Sequence, residues 1–341
     1  MGNNISLLDG IGNTPIAHIR LNNNYGFYAK LEGLNPFGSM KDRAASYILL
    51  NKTKDGTINK ETKIIESSSG NFGIALSATC QILGYKYICV IDPNIIEINK
   101  KIMELFGADL RLVKRADSNG TYQNARIEYV ENFLRNNSNV YWTNQYDNDL
   151  IVKSYYPLAK EIITQVPDLT HVYIPISTCG TIAGLSTYLK AINNSIKIIA
   201  VDVEGSKIFN KASKVNCNFP GMGSGIIPKN LSKAKIDDIV IVSDSDCIEN
   251  CRYLLKNGIL CGASSGGVTA AIKKNELKHS FNDIIVGIFP DRGERYLNNL
   301  YNEKWCKDKI ISSYPLLIFI FHRNHNDCGF SFCFCFPSHY K

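Results

Sequence analysis

The stretch NPFGSMKDRA, residues 35–44, sets Lys41 between a glycine-containing turn and an amphipathic run. A primary amine held at a strand-to-helix corner could form a Schiff base with an aldehyde cofactor; in its plainer reading the same lysine is a solvated helix start. A second segment, TKIIESSSGNFGIALSATCQILGY at residues 62–85, joins a β-branched apolar run to a turn, after which Ile74, Ala75, Ala78 and Ile82 fall at helical spacing. Ser68, Ser69, Gly70 and Asn71 therefore stand at a helix N-terminus. Backbone N–H groups there lack intrahelical partners and lie at the positive end of the helix dipole, which suits a carboxylate. The same serines and Asn71 could also do no more than cap the helix.

HVYIPISTCGTIAGLSTYL, residues 171–189, repeats the construction. A strand runs into Ser177, Thr178, Cys179, Gly180 and Thr181, and a helix follows, so a phosphate could rest on the exposed N–H groups. It is neither a Walker A loop nor G-x-G-x-x-G. GILCGASSGGVTAAIKK, residues 258–274, places Ser264 and Ser265 in another glycine-bounded turn before a helix. Each alone is an ordinary strand-to-helix connection. Four of them in this order are improbable by chance.

The order NPFGSMKDR, SSSGN, STCGT, GASSGG and FPDRGERYL resembles the pyridoxal-phosphate-dependent cysteine synthase and cystathionine β-synthase family of fold type II, over roughly residues 8–305. Within it, ESSSGN, DVEGS, GMGSGIIP and FPDRGERYLNNLYNEKW are most similar to the synthases that join O-phospho-L-serine to L-glutamate, giving N-(2-amino-2-carboxyethyl)-L-glutamate for 2,3-diaminopropionate and siderophore biosynthesis. The resemblance implies pyridoxal 5'-phosphate as cofactor and Lys41 as its Schiff-base lysine. It implies that Asn71 hydrogen-bonds the cofactor's ring oxygen, that residues 177–181 cradle its phosphate, and that Ser264 faces the pyridine nitrogen. A neutral hydroxyl there does not keep that nitrogen protonated, which favours expelling a β-leaving group, through an aminoacrylate, over building up a quinonoid. Ser68, Ser69, Gly70 and Asn71 would grip the substrate carboxylate, with Gln145 a further candidate, and a displaced Lys41 would take the α-proton.

Departures from the commoner cysteine synthase pattern bear on the substrate. Ser177 and Cys179 occupy two positions of a loop that there reads G-T-G-G-T, and Phe72 stands where threonine is frequent. Sulfide needs neither room nor a cationic clamp, whereas phosphoserine and glutamate both bring anionic groups. Arg126, Tyr146 and Ser177 are then expected as extra donors, although Arg126 reads equally well as solvating a helix face. The next function is a cysteine synthase using sulfide with O-acetylserine or O-phosphoserine; a third, of another class, is a non-catalytic binding or regulatory homologue. Lys41, Asn71, STCGT and Ser264 together argue against the third.

Strand and helix patterns alternate from end to end, the mark of an α/β chain with parallel sheets wrapped by helices. KIIES, YICVIDP, DLRLV and NVYWTN read as strands, with helical runs such as IIEINKKIMELFGA between. The expected architecture is two lobes, each with a mostly parallel sheet, and an active site in the cleft. Residues 37–145 form a small mobile lobe, residues 1–36 and 146–306 the large one, the chain reversal being what the resemblance implies. With 341 residues and 45% hydrophobic content, two lobes are also what the length predicts. The formal charge of +7 is scattered and no RNA or DNA motif accompanies it, so a small anionic substrate fits better than nucleic acid. The polar start MGNNISLLDGIGNTP is no signal peptide, its match to the loose myristoylation pattern reads as chance, and no apolar run spans a bilayer. A cytoplasmic homodimer is expected, with no membrane partner.

Eleven cysteines do not form a disulfide framework. Cys80, Cys89, Cys217, Cys247, Cys251 and Cys261 lie among apolar residues, as buried thiols do. Cys179, at a helix N-terminus, is expected to have a lowered thiol pKa. After Trp305 the composition changes abruptly, and residues 307–341 read as an atypical tail, an extension or an altered reading frame. PLLIFIF is too short to cross a membrane. His322, His325, Cys328, Cys333 and Cys335 have only loose metal-ligand spacing, and no metal site is expected.

Overall fold

A computed structural model describes residues 6–22, 25–118, 120–210, 219 and 221–313. The chain opens with a hairpin, β1 (Ile16–Arg20) and β2 (Gly26–Leu31), followed by a turn and α1 (Lys41–Lys54). Next come β3 (Lys63–Ser67), α2 (Asn71–Leu83), β4 (Lys86–Ile91), α3 (Glu97–Leu105), β5 (Asp109–Leu112), α4 (Tyr122–Asn136) and β6 (Val140–Trp142). These four strands form one parallel sheet in the order β5-β4-β3-β6. The central β3 and β4 are, past their first residue, buried throughout, as parallel strands covered on both faces must be.

Two helices, α5 (Asp149–Lys153) and α6 (Tyr156–Gln165), lead into β7 (His171–Pro175), α7 (Gly180–Ile192), β8 (Lys197–Val203) and β9 (Asp238–Val242). Then α8 (Asp244–Lys256) and α9 (Ala263–Lys274) precede β10 (Ile285–Phe289) and α10 (Glu303–Ser313). The second sheet runs β1-β2-β10-β7-β8-β9, parallel except for the β1–β2 hairpin. β9 is its edge and alternates, with Ile239 and Ile241 facing outward. Among the described residues no helix is long and apolar enough to cross a membrane.

Sheet order decides what meets what. β10 returns between β2 and β7 and is parallel to both, so the chain segments leaving these three strands emerge side by side at one sheet edge. Those segments are the Lys41 turn, residues 290–296, and the loop before α7. Ligands of open α/β sheets bind at such carboxyl edges.

Local expectations are adjusted in three places. Ile82, placed on the apolar stripe of α2, points outward, because that helix has ended its buried face by Cys80 and closes on Gly84 in the left-handed conformation. The run IIEINKKIMELFGA is helical only from Glu97, and NVYWTN is strand only over its first three apolar residues. Cys217 and the tail's histidines and cysteines lie outside the described residues.

Candidate active site

Lys41 is the first residue of α1, and the turn before it is fixed from several sides. Asp42 accepts from the Phe37 N–H at 2.6 Å and the Ser39 hydroxyl at 3.2 Å, and the Met40 N–H donates to Pro290 O at 2.8 Å. Burial pushes the Asp42 carboxyl up to about 7, against these hydrogen bonds and the Arg295 charge, which pull it down. The next residue, Arg43, grips Glu32 through Nε and Nη2 at 2.6 and 2.8 Å and Glu161 through Nη1 and Nη2 at 2.7 and 2.8 Å. Lys30 adds a 2.8 Å ion pair to Glu161. This buried network ties α1 to β2 and α6, so the lysine's backbone is held while its amine has no hydrogen-bond or ion-pair partner among the described residues. A tethered amine facing a cleft is the arrangement a Schiff base requires.

The second wall is the turn between β3 and α2. Ser68 Oγ accepts from the Gly73 N–H at 2.9 Å, so it caps the helix and lines the cleft at once. Ser69 Oγ accepts from Arg126 Nη1 at 2.6 Å, and Gln145 Nε2 donates to Ser67 O at 2.8 Å. Beneath the turn lies Glu66, fully buried, accepting from Thr143 Oγ1 at 2.5 Å, Ser67 N–H at 2.8 Å and Gln145 N–H at 3.2 Å. Burial pushes its carboxyl up to about 7 even though these donors favour the charge. Glu66 thereby couples the ends of β3 and β6, the two stretches that carry the serine turn and Gln145.

The third wall is the start of α7. Cys179 has φ 59° and ψ 2°, left-handed, and passes directly into helical Gly180. A left-handed residue joined to helical ones turns successive N–H groups toward one point, an anion-binding concavity at the positive helix end. Asn230 braces the loop by donating to Gln145 O at 3.0 Å and Thr178 O at 3.3 Å. Ser264, buried, is the second residue of α9.

Lys41, residues 68–71, Arg126, Gln145, Tyr146, residues 177–179, Thr181 and Ser264 line one cleft. Gly180 does not reach its wall; a Cβ there would stand 2.3 Å from Ile151 Cγ2, so its small size serves the packing of α7 on α5. Arg126 does not solvate a helix face: its side chain is 11% exposed, and Nε lies 3.2 Å from Asp92 Oδ2, off the line of a hydrogen bond. Tyr146 is buried, which raises its hydroxyl pKa. The expected lowering of the Cys179 thiol is reversed. Burial pushes it up to about 12, assisted by Asp202, and the Lys41 charge only tempers that, because desolvation outweighs a helix dipole at a residue this enclosed.

Residues that sequence reasoning gave no role also meet here: Asn99, which lines the cleft and donates to Ser69 O at 3.4 Å; Asp92; and Asp291, Arg295 and Tyr296 around Asn71. The last three belong to the FPDRGERYL motif, so their signal was present without a function attached. Among the described residues no group of three histidine, cysteine, aspartate or glutamate side chains could hold a metal. The donor set fits pyridoxal phosphate instead. An amine without a partner suits its aldehyde and a nest of N–H groups its phosphate, and the Asn71 amide and the Ser264 hydroxyl line the same cleft.

Comparison with known proteins agrees. Residues 7–291 match the family described as pyridoxal-phosphate dependent enzyme, and the chain belongs to that family. It is similar to the O-acetylserine dependent cystathionine β-synthase of Helicobacter pylori, at 32% identity over 88% of this chain and 99% of that one, with a TM-score of 0.81. A hydrogen sulfide-producing enzyme of Fusobacterium nucleatum is 31% identical over 87% of this chain and 100% of its own, TM-score 0.79. O-acetylserine sulfhydrylase isoform 3 of Entamoeba histolytica is 28% identical over 90% and 95%, TM-score 0.78.

Proposed function

We propose that this pyridoxal-phosphate dependent enzyme replaces the β-substituent of O-phospho-L-serine with the amine of L-glutamate, yielding N-(2-amino-2-carboxyethyl)-L-glutamate and phosphate. The observation that carries this reading is Arg126, a guanidinium drawn to the cleft wall and bonded to Ser69 in the turn suited to a substrate carboxylate. Sulfide calls for no such group; a phosphate or a second carboxylate does.

Bound pyridoxal phosphate supplies the aldehyde that captures the substrate amine and the electron sink that makes its α-proton acidic. The chain supplies the rest. The N–H groups of the α2 start, with Ser68, Ser69 and Gln145, orient the substrate carboxylate, and Asn71 and Ser264 hold the ring. Ser264 is a hydroxyl and adds no negative charge, so the ring nitrogen is not kept protonated and β-elimination is favoured. Lys41 receives the α-proton as the β-phosphate leaves, and returns a proton to the same carbon once the acceptor nitrogen has bonded to Cβ and lost its own.

A second reading is a cysteine synthase using O-acetylserine and sulfide, favoured by the O-acetylserine named for the Helicobacter and Entamoeba proteins. Mass spectrometry separates the two. Purified enzyme is incubated with O-phosphoserine or O-acetylserine, each with L-glutamate, with sulfide, or with neither. The glutamate conjugate should form from O-phosphoserine, and the cofactor's visible spectrum should change on adding that donor alone. Cysteine formed from O-acetylserine with higher catalytic efficiency puts the second reading ahead.

A further inference from the structure

Residues 290–296, which leave β10 with the FPDRGERYL motif, have no part in the scheme above, yet they touch three of the cofactor-facing starts, those of α1, α2 and α9. Toward the lysine turn, Pro290 O accepts from Met40 N–H, Ser39 and Asp291 form an antiparallel bridge, and Arg295 donates to Phe37 O. Gly38, with φ +87°, admits that arginine; a Cβ there would stand 2.9 Å from Arg295 Nη2. Toward α9, Gly293 N–H donates to Leu260 O at 3.1 Å and Gly262 N–H to Asp291 O at 3.4 Å, two residues before Ser264. A Cβ on Gly262 would sit 2.1 Å from Asp291 Oδ1.

The third contact is Asn71. Arg295 Nη1 donates to its Oδ1, and its Nδ2 donates to Asp291 Oδ2 at 2.7 Å. A guanidinium has donors only and an ionised carboxylate acceptors only. Turning the amide over would set N–H against Arg295 and oxygen against Asp291, losing both bonds. Asp291 is itself buried and held by the Tyr296 hydroxyl, which donates to the same Oδ2. Nδ2 has two hydrogens; Asp291 takes one, and the second lies between the Tyr296 hydroxyl and the cleft that both residues line.

We infer that Asp291 and Arg295 are positioning residues that lock the Asn71 amide so that it presents an N–H donor, and no acceptor, to the cofactor cleft. The inference rests on the reading of Asn71 as partner of the cofactor's ring oxygen. A donor at that oxygen stabilises its ionised form; an acceptor would stabilise the neutral hydroxyl. The two forms absorb at different wavelengths, so the ratio of the bound cofactor's bands reports which group Asn71 offers.

The test records that ratio for wild type, Asn71→Ala, Asp291→Ala, Arg295→Met, Arg295→Lys and the Asn71→Ala/Arg295→Met double variant, each checked for folding by circular dichroism. Asn71→Ala, Asp291→Ala and Arg295→Met should move it toward the neutral form by about tenfold, the effect of one charge-assisted hydrogen bond. Arg295→Lys should lie nearer wild type, and the double variant should shift no further than Asn71→Ala. Should Asp291→Ala fail to fold, Arg295→Met carries the test. A shift in Asn71→Ala with none in Arg295→Met, or additive shifts, overturns the positioning role. No shift in Asn71→Ala removes the premise and the inference with it. A purely structural role lowers the melting temperature and leaves the ratio alone.

Discussion

Arg126 and Asp92 make opposite predictions for the same substrate. One N–H of Arg126 is engaged by Ser69 at 2.6 Å, and Nε lies 3.2 Å from the Asp92 carboxylate, so donors remain on both terminal nitrogens. Take a substrate anion about 4 Å from the guanidinium and about 7 Å from the carboxylate, at an effective dielectric constant of about 20. The attraction is about 4 kcal/mol and the repulsion about 2.4 kcal/mol, leaving roughly 2 kcal/mol of net attraction. A charge-assisted hydrogen bond falls in the same range, about 1.5–3 kcal/mol. Removing Arg126 and the Asp92 charge together should therefore lower kcat/KM for an anionic donor or acceptor by about ten- to a hundredfold, and Arg126→Ala alone, which leaves the repulsion in place, by more.

Asp92→Asn keeps the Oδ1 that accepts from Asn94 N–H at 2.8 Å and removes only the charge. It should raise kcat/KM for O-phosphoserine several-fold, by relieving part of that roughly 2 kcal/mol repulsion. For O-acetylserine, whose β-substituent is a neutral ester in the bound substrate, both substitutions should have smaller effects. The assay is steady-state kinetics with both donors at fixed ionic strength. Because Arg126→Ala leaves a buried carboxylate unpaired, the Arg126→Ala/Asp92→Asn double variant separates lost stability from lost recognition. Efficiencies within twofold of wild type for both donors in that double variant, with Asp92→Asn also silent, would refute the electrostatic reasoning.

Lys41→Ala should lose the visible band of the lysine-bound cofactor and nearly all turnover while melting close to wild type; normal turnover would end the assignment. Cys179→Gly should change stability by less than about 1 kcal/mol in urea titration. Relief of about 1–2 kcal/mol of left-handed strain is offset by greater freedom of the unfolded chain and lost thiol packing. Cys179→Val, β-branched at φ 59°, should destabilise clearly more, and equal behaviour of the two would remove the strain argument. A fourth prediction concerns His279, which bridges the hydroxyls of Tyr25 and Tyr173 beside His171, Asp283 and Lys278. Burial first, then His171, lowers its pKa from the ordinary 6.5, so the unfolded chain binds the proton more readily and His279's contribution fades as pH falls below about 6.5. Asp42 and Glu66, raised to about 7, act in the opposite sense, losing stability as pH rises through that value. The wild-type curve therefore mixes both signs. The difference in urea midpoint between wild type and His279→Gln should shrink from pH 7.5 to 5.5; a constant difference would contradict the linkage.

The chemistry was legible in the sequence to the extent that it is local. A turn opening a helix is written in consecutive residues, so the starts of α1, α2, α7 and α9 were visible as NPFGSMK, SSSGN, STCGT and GASSGG, and alternating apolar runs announced parallel sheets. Two kinds of information were not local. Cys179 was expected to ionise easily from its place at a helix start, but its burial in the folded chain decides the sign. Arg126 was balanced between solvent and cleft because its helix, α4, has only one fully buried residue, Val130, and its weak apolar stripe does not say which face meets the β3–α2 turn.

The brace around Asn71 was the least legible part, and the sheet order explains why. Asn71 and Arg295 are separated by 224 positions, and no periodicity relates them. They meet because β10 enters the sheet between β2 and β7 rather than at an edge, which directs residues 290–296 into the gap between the lysine turn and α9. An edge position for β10 would leave every local motif intact and still take residues 290–296 away from the lysine turn, Asn71 and the start of α9. The glycines at 38 and 262, read from the sequence only as turn residues, are where that segment passes too closely for a Cβ. The motif FPDRGERYL thus acts at a distance in the chain from the residues it serves: the side chains of Asp291 and Arg295 set the orientation of one amide, and its backbone ties the lysine turn to the start of α9.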